Sequence, residues 1–108
     1  MSGRLVGEVL DYAPADLTPA ETLVLVALAE AAKDRDRTAR FQCSVDVLAT
    51  RTRLSSGTVR NALSHLTRRG LIRPLIKGVS RGGRHQEYEL ARLETRHRFA
   101  THRDETRP

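Results

Sequence analysis

Cysteine, tryptophan and long apolar runs are scarce or absent in this chain of 108 residues. Cys43 is the only cysteine, which excludes an intrachain disulfide and agrees with a reducing compartment. The longest apolar run, residues 23–29, is far too short to span a bilayer, and the N-terminus lacks the apolar segment of a secretory signal. We therefore expect a cytoplasmic protein with no membrane partner, folded around one small core of Leu, Val, Ile and Ala.

Catalytic and metal-binding patterns are also missing. No Ser-His-Asp order, phosphate-cradling loop or pair of buried carboxylates can be identified. His97 and His102 lie in a charged tail without a Cys or acidic cluster at metal spacing. The sequence thus predicts a protein that is not an enzyme, with no cofactor, no metal and no evident small-molecule ligand.

Lysine is rare, and the positive charge is unevenly placed. Only Lys33 and Lys77 are lysines among 19 basic residues, and the net charge is +6. Residues 1–36 carry 3 basic and 7 acidic residues, whereas residues 37–92 carry 12 basic and 3 acidic ones. A GC-rich coding sequence explains an excess of Arg over Lys but not its position. A basic second half predicts a polyanionic partner, because Arg suits bidentate contacts to phosphate and guanine.

Residues 45–69 have the pattern of two short helices joined by a tight turn. In the second helix, apolar residues recur at the spacing of one helical face: Val59, Ala62, Leu63 and Leu66. Ser44 can cap the first helix, and either Ser55 or Ser56 can cap the second. This is the layout of a helix-turn-helix motif, whose second helix, here residues 55–69, enters the DNA major groove.

The flanking segments extend this motif to a winged helix. Thr18, Pro19 and Glu21 form a capping box that begins a helix running to about Lys33. Gly70 suits a left-handed helix end, and two β-compatible segments, 71–79 and 85–90, flank a glycine-rich tip. We expect a mainly α fold with a small β-hairpin, in which a three-helix core carries a two- or three-stranded wing.

Three units follow along the chain: an N-terminal arm or connector over residues 1–16, the winged helix-turn-helix domain over 17–91, and a charged C-terminal tail over 92–108. Residues 4–12 fit either a short helix or an extended arm. Leu23 and Val26 fall outside the core face of their helix, so either a neighbouring segment covers them or they form a dimer contact. Residues 38–43 form a short, β-compatible segment, and Phe41 within it is predicted to point inward.

The capping box at residues 17–21, the stretch LATRTRLSSGTVRNALSHLTRRGLI and the basic hairpin together resemble the winged helix-turn-helix DNA-binding domains of bacteria. The resemblance covers roughly residues 15–91 and is closest to actinobacterial plasmid, phage and regulatory proteins. It implies binding to double-stranded DNA. Arg53 stands where that family usually has Gly, and a left-handed backbone at a non-Gly residue costs of the order of 1 kcal/mol.

The candidate DNA-binding residues lie on the outward face of the second helix and in the wing. Arg60 could read guanine and Asn61 adenine in the major groove, with phosphate contacts from the helix start. The wing, residues 77–85, would reach the minor groove or its phosphates. The full set is Ser55, Ser56, Gly57, Thr58, Arg60, Asn61, Ser64, Arg68, Lys77, Arg81 and Arg84, to which Arg51, Arg53, Arg69 and Arg73 could add phosphate contacts.

The leading functional hypothesis is a sequence-specific transcriptional regulator that acts as a homodimer or a cooperative assembly on DNA. One alternative is a plasmid or phage replication or partition protein that binds DNA repeats. An alternative of another class is a protein–protein adaptor built on a winged helix; the basic outward helix face argues against it, and the apolar pair Leu23 and Val26 argues for it.

Overall fold

A computed structural model of the chain describes residues 3–75 and 86–93. Within these residues it contains the helices α1 Gly3–Tyr12, α2 Pro19–Ala31, α3 Val45–Thr52 and α4 Ser56–Arg68, and the strands β1 Ala32–Lys33, β2 Thr38–Ala39, β3 Ile72–Leu75 and β4 Glu87–Leu90. No helix in this described part is long and apolar enough to cross a membrane. The wing tip and the C-terminal tail predicted from the sequence lie largely outside the described residues.

Side-chain caps begin the three central helices where the sequence predicted them. Thr18 Oγ1 accepts a hydrogen bond from the Glu21 N–H at 3.1 Å, and Glu21 Oε1 accepts one from the Thr18 N–H at 3.0 Å. Ser44 Oγ accepts from the Val47 N–H at 3.2 Å at the start of α3. These bonds satisfy N–H groups that have no partner inside the helix, so each helix begins at a defined residue.

The sheet has the strand order β1-β2-β4-β3, with antiparallel neighbours. The predicted helix through Lys33 is shorter than expected, because Ala32 turns to φ −82 and ψ 156 and pairs with Ala39. β3 lies at an edge, where Pro74 opposite Tyr88 is tolerated because its missing N–H faces no further strand among the described residues. The helices and this hairpin confirm the predicted winged-helix fold.

One hydrophobic core joins the helices to the sheet. Its fully buried side chains include Leu25 and Leu28 of α2, Leu48 of α3, and Val59 and Leu66 of α4. Because both the helix-turn-helix and the sheet pack on α2, the orientation of α4 relative to the wing strands is fixed by this core.

Residues 3–12 form a helix and not an extended arm. α1 packs against α2 and buries Leu5 and Val9 in the common core. Val26 is half-buried against that core, whereas Leu23 remains 41% exposed. Of the two alternatives for Leu23 and Val26, cover by a neighbouring segment therefore fits Val26 better than Leu23.

The inward orientation predicted for Phe41 is wrong, since this side chain is 69% exposed. β2 ends at Ala39, and the chain then turns through Gln42, whose φ is 60. This turn places Cys43 inward instead, where its Sγ donates to the Gln86 carbonyl oxygen at 3.1 Å. The prediction treated residues 38–43 as β-compatible throughout, whereas β2 ends at Ala39, two residues before Phe41.

Candidate nucleic-acid interface

The turn between α3 and α4 is closed by a left-handed residue. Arg53 has φ 66 and ψ 27, and its N–H donates to the Ala49 carbonyl oxygen at 2.9 Å. The Leu54 N–H donates to the same oxygen at 3.2 Å, so both N–H groups that follow α3 are bound to the Ala49 carbonyl in its last turn. The side chain of Leu54 packs against the core under the turn. The tight turn predicted between the two helices is thus present, with Arg53 in the strained conformation.

Ser55 is the residue that caps α4. Its Oγ accepts from the Thr58 N–H at 3.1 Å and also contacts Thr58 Oγ1 at 2.9 Å. The N–H groups of Ser56 and Gly57 precede the first intrahelical hydrogen bond, and they carry the positive end of the helix dipole. This end of the helix is therefore suited to an anion such as a phosphate.

Gly57 leaves the helix start open to close approach. A Cβ atom built on Gly57 meets nothing within 4 Å, so no packing in the described fold requires Gly at this position. Gly in the first turn of a helix also weakens that helix relative to Ala. Close approach of a ligand to the backbone would explain a glycine at position 57, whereas the packing of the fold does not require one.

α4 has one buried and one exposed face. Val59, Ala62, Leu63 and Leu66 are buried, as their spacing predicted. The opposite side carries the exposed residues Arg60, Asn61, Ser64 and Arg68. α4 ends at Arg68 and is followed by a left-handed Gly70. The Gly70 N–H donates to the Thr67 carbonyl oxygen at 3.0 Å, and the Leu71 N–H donates to the Leu66 carbonyl oxygen at 3.0 Å. The four predicted residues opposite the buried face share one exposed surface, which we call the α4 outer face.

The arginines around the motif fall into two groups. Three make surface ion pairs: Arg51 with Glu30 at 3.0 Å, Arg69 with Asp16 at 3.0 Å, and Arg73 with Glu89. By contrast, Arg53, Arg60 and Arg68 make no ion pair with any residue in the described ranges. Surface ion pairs contribute about 0–1 kcal/mol to stability, so they can rearrange. An arginine without an ion-pair partner can bind a phosphate without first breaking such a pair.

Sequence reasoning missed a contact between α2 and α4. Nδ1 of His65 lies 2.8 Å from Oε2 of Glu21, whose other oxygen caps α2. The hydrogen bond from His65, followed by that from the Thr18 N–H, lowers the pKa of the Glu21 carboxyl. These residues are 44 positions apart, and no local pattern marks them as partners. The contact ties the buried side of α2 to the edge of the α4 outer face.

A groove of about 440 Å³ separates α4 from the wing strands. It is lined by Leu63, Ser64, Thr67, Arg68, Pro74, Gln86 and Tyr88. Ser64 and Arg68, both predicted to contact DNA, therefore lie on its helix side. The predicted wing residues Lys77, Arg81 and Arg84 lie outside the described residues.

Cys43 is buried, and the described residues contain no cluster of possible metal ligands. Burial raises the pKa of the Cys43 thiol, with the Glu87 charge adding to the shift, so the neutral thiol is favoured. Within residues 3–75 and 86–93, no group of three or more His, Cys, Asp or Glu side chains could hold a metal ion.

The helical core, the capped α4 and the adjoining hairpin strands define a winged helix-turn-helix domain. A family model described as the MarR family matches residues 15–81, which is more than half of the chain. The chain belongs to the MarR family, whose members are DNA-binding transcriptional regulators and not enzymes. Comparisons with curated proteins and with solved structures gave no match.

Proposed function

We propose that this protein regulates transcription by binding a specific double-stranded DNA sequence with α4 in the major groove. The observation that carries the proposal is the α4 outer face, where Arg60 is exposed, has no ion-pair partner among the described residues and stands beside Asn61 on the side opposite the packed apolar face. Packing on the core fixes the helix, so these side chains can reach base edges without a change of fold.

Arg60 and Asn61 are the proposed base-reading residues. The Arg60 guanidinium can donate two hydrogen bonds to guanine O6 and N7, and the Asn61 amide can pair with adenine N6 and N7. Each such pair discriminates against a wrong base by about 1–3 kcal/mol. Ser64 is short enough to let the helix approach the bases beside them.

Phosphate contacts are proposed at both ends of α4. Ser55, Ser56, Gly57 and Thr58 surround the helix start, where free N–H groups and hydroxyls can bind a phosphate. Arg68 lies near the other end, in the groove next to the wing strands. These contacts orient the helix on the duplex and carry no sequence information by themselves.

The groove between α4 and the hairpin supports a position for the wing. Adjacent major and minor grooves are separated by one sugar–phosphate strand, so a helix in one and a wing in the other place that strand between them. In the proposed complex, the protein groove of about 440 Å³ between α4 and the wing strands would receive this DNA strand. The proposal assigns Lys77, Arg81 and Arg84 of the wing to the minor groove or its flanking phosphates.

We also propose that the protein acts as a dimer. Family members usually act as dimers, and one domain of this size reads only a few base pairs. Leu23 of α2 is 41% exposed and supplies an apolar surface for a second copy, with half-buried Val26 on the same helix. Two copies would read repeated or palindromic half-sites. We further propose that the protein is cytoplasmic and of the type found in actinobacterial plasmid, phage and regulatory proteins.

Selection of bound sites from a random pool of duplex DNA tests the proposal. We expect enrichment of one motif, and footprinting on DNA beside the gene should protect that motif over a promoter. The Arg60→Ala variant should bind random DNA almost as well as the wild type but lose about 10-fold or more on the selected site. No enriched motif, or equal affinity of the variant for both DNAs, would contradict this function. Protection of clustered repeats away from a promoter would favour replication or partition.

A further inference from the structure

Arg53 has a backbone conformation that its residue type disfavours. Its φ of 66 lies in the left-handed region, where the Cβ of most L residues is crowded and where Gly or Asn is accommodated more easily. The two hydrogen bonds to the Ala49 carbonyl come from the backbone N–H groups of Arg53 and Leu54. A Gly or Asn at position 53 could close the same turn, so the turn does not explain the arginine.

The Arg53 side chain also has no visible role in holding the fold. It is exposed, and it makes no hydrogen bond or ion pair with any residue in the described ranges. Arg37 provides a contrast, because it too has a positive φ, of 55, but its side chain binds the Glu8 carboxylate and the Leu90 and Ala91 carbonyls. The strain at Arg37 is accompanied by structural bonds, whereas the strain at Arg53 is not.

The position of Arg53 relates it to the proposed phosphate site. It lies two residues before Ser55, the cap of α4, where the open N–H groups of Ser56 and Gly57 favour an anion. Its neighbour on the other side, Arg51, is engaged by Glu30 at 3.0 Å. Strained backbone that the fold does not require is found most often at functional sites.

We propose that Arg53 is a DNA phosphate contact, held at the turn to bind the backbone beside the start of α4. The inference rests on the proposed function, because it requires DNA at this end of the helix. The contact is electrostatic and independent of base sequence, so it should contribute to affinity on every duplex.

Three variants test this contact on a random-sequence duplex of about 30 base pairs, with affinity measured over a range of salt concentrations. Arg53→Asn removes the charge and suits the left-handed backbone. Arg53→Lys keeps the charge. Arg40→Gln is the matched control, since it changes the net charge equally at a surface arginine that pairs with Asp36 and has no proposed contact with DNA.

For Arg53→Asn we expect binding weaker by about 5- to 10-fold near 0.1 M salt, with a slope of log K against log salt shallower by about 0.9. Its thermal midpoint should equal or exceed that of the wild type, because the strain is relieved. Arg53→Lys should keep the wild-type slope, and Arg40→Gln should change it clearly less than Arg53→Asn does.

Wild-type affinity and slope in Arg53→Asn would overturn the contact, and so would an equal loss in Arg40→Gln, which would indicate a general effect of charge. A thermal midpoint several degrees lower in Arg53→Asn would overturn it as well, by showing a structural role. Failure of the wild type to bind the duplex would instead remove the proposed function, and this inference with it.

Discussion

Arg37 and Glu8 form a largely buried salt bridge, with Arg37 Nη2 2.6 Å from Glu8 Oε2 and side chains only 12% and 8% exposed. The same guanidinium donates to the Leu90 carbonyl at 3.0 Å and to the Ala91 carbonyl at 2.7 Å, and the Leu93 N–H donates to Glu8 Oε2 at 2.7 Å. One ion pair thus joins α1, the turn before β2 and the chain that leaves β4. It holds the hairpin strands, and through them the base of the wing, against the helical core.

Removal of either partner should destabilise the domain strongly. Arg37→Met or Glu8→Gln leaves the remaining charge buried without its counterion, which typically costs about 3–5 kcal/mol. Urea unfolding followed by circular dichroism measures the effect. Arg40→Met is the control, because Arg40 pairs with Asp36 at the surface and its loss should cost less than about 1 kcal/mol. Equal small effects in all three variants would show that the buried pair is not important for stability.

Glu8 should also make stability depend on pH. Burial would raise the pKa of this carboxyl, but the hydrogen bonds from Arg37 and the Leu93 N–H outweigh it and hold the pKa below its usual 4.5. A pKa that is lower in the folded state means that the stabilisation is complete above pH 4.5 and is lost as the pH falls through the folded-state value.

Unfolding free energies measured between about pH 6 and about pH 3 test this linkage. The wild type should lose stability over that range more steeply than Glu8→Gln, which has no carboxyl to protonate at this position. Parallel pH profiles for the two proteins would contradict the proposed role of Glu8.

Gly57→Ala should affect folding and DNA binding in opposite directions. An added Cβ meets nothing within 4 Å, and Ala favours a helix over Gly by up to about 1 kcal/mol, so the fold should become more stable. DNA affinity should fall, because the methyl group obstructs close approach to the backbone. Gly7→Ala in α1, where a Cβ likewise meets nothing within 4 Å, is the matched control and should leave binding unchanged. If Gly57→Ala binds as tightly as the wild type, the α4 start is not in close contact with DNA.

Leu23→Asp should disrupt the proposed dimer without unfolding the protein. The side chain is 41% exposed on α2, so the charge is tolerated in a monomer but not in an apolar contact between copies. Sedimentation velocity should show a dimer for the wild type and a shift to monomer for the variant. Val47→Asp, at a side chain 37% exposed on α3, should remain dimeric. A Leu23→Asp variant that remains dimeric would place the interface elsewhere. A monomeric wild type would contradict the proposed dimer.

Local signals in the sequence predicted the fold well where they specify helix ends and faces. The capping box of Thr18 and Glu21 and the left-handed Gly70 are all confirmed, because their chemistry acts within a few residues. Residues 4–12 could not be assigned in this way, since the helix α1 is stabilised by its packing on α2. Phe41 was misassigned because a strand pattern does not show where the strand stops.

Prediction of the candidate site shows the same division. Helical periodicity identified the buried and exposed faces of α4 correctly, so the positions of Arg60 and Asn61 on the outer face were predictable. The pairing of arginines with carboxylates was not predictable, because Arg69 pairs with Asp16, which is 53 positions away in the chain. The contact of His65 with Glu21 likewise depends on the packing of α4 against α2.

The central claim is that Arg60 reads a base from the major groove, and replacement of guanine by 7-deazaguanine in the selected site tests it most directly. This replacement removes only the N7 acceptor in the major groove and leaves the minor groove and the base pair intact. At one guanine of each half-site we predict that wild-type binding weakens by about 5-fold or more, while Arg60→Ala binds both duplexes equally. Unchanged wild-type affinity at every guanine, or an equal loss in the wild type and Arg60→Ala, would contradict the account.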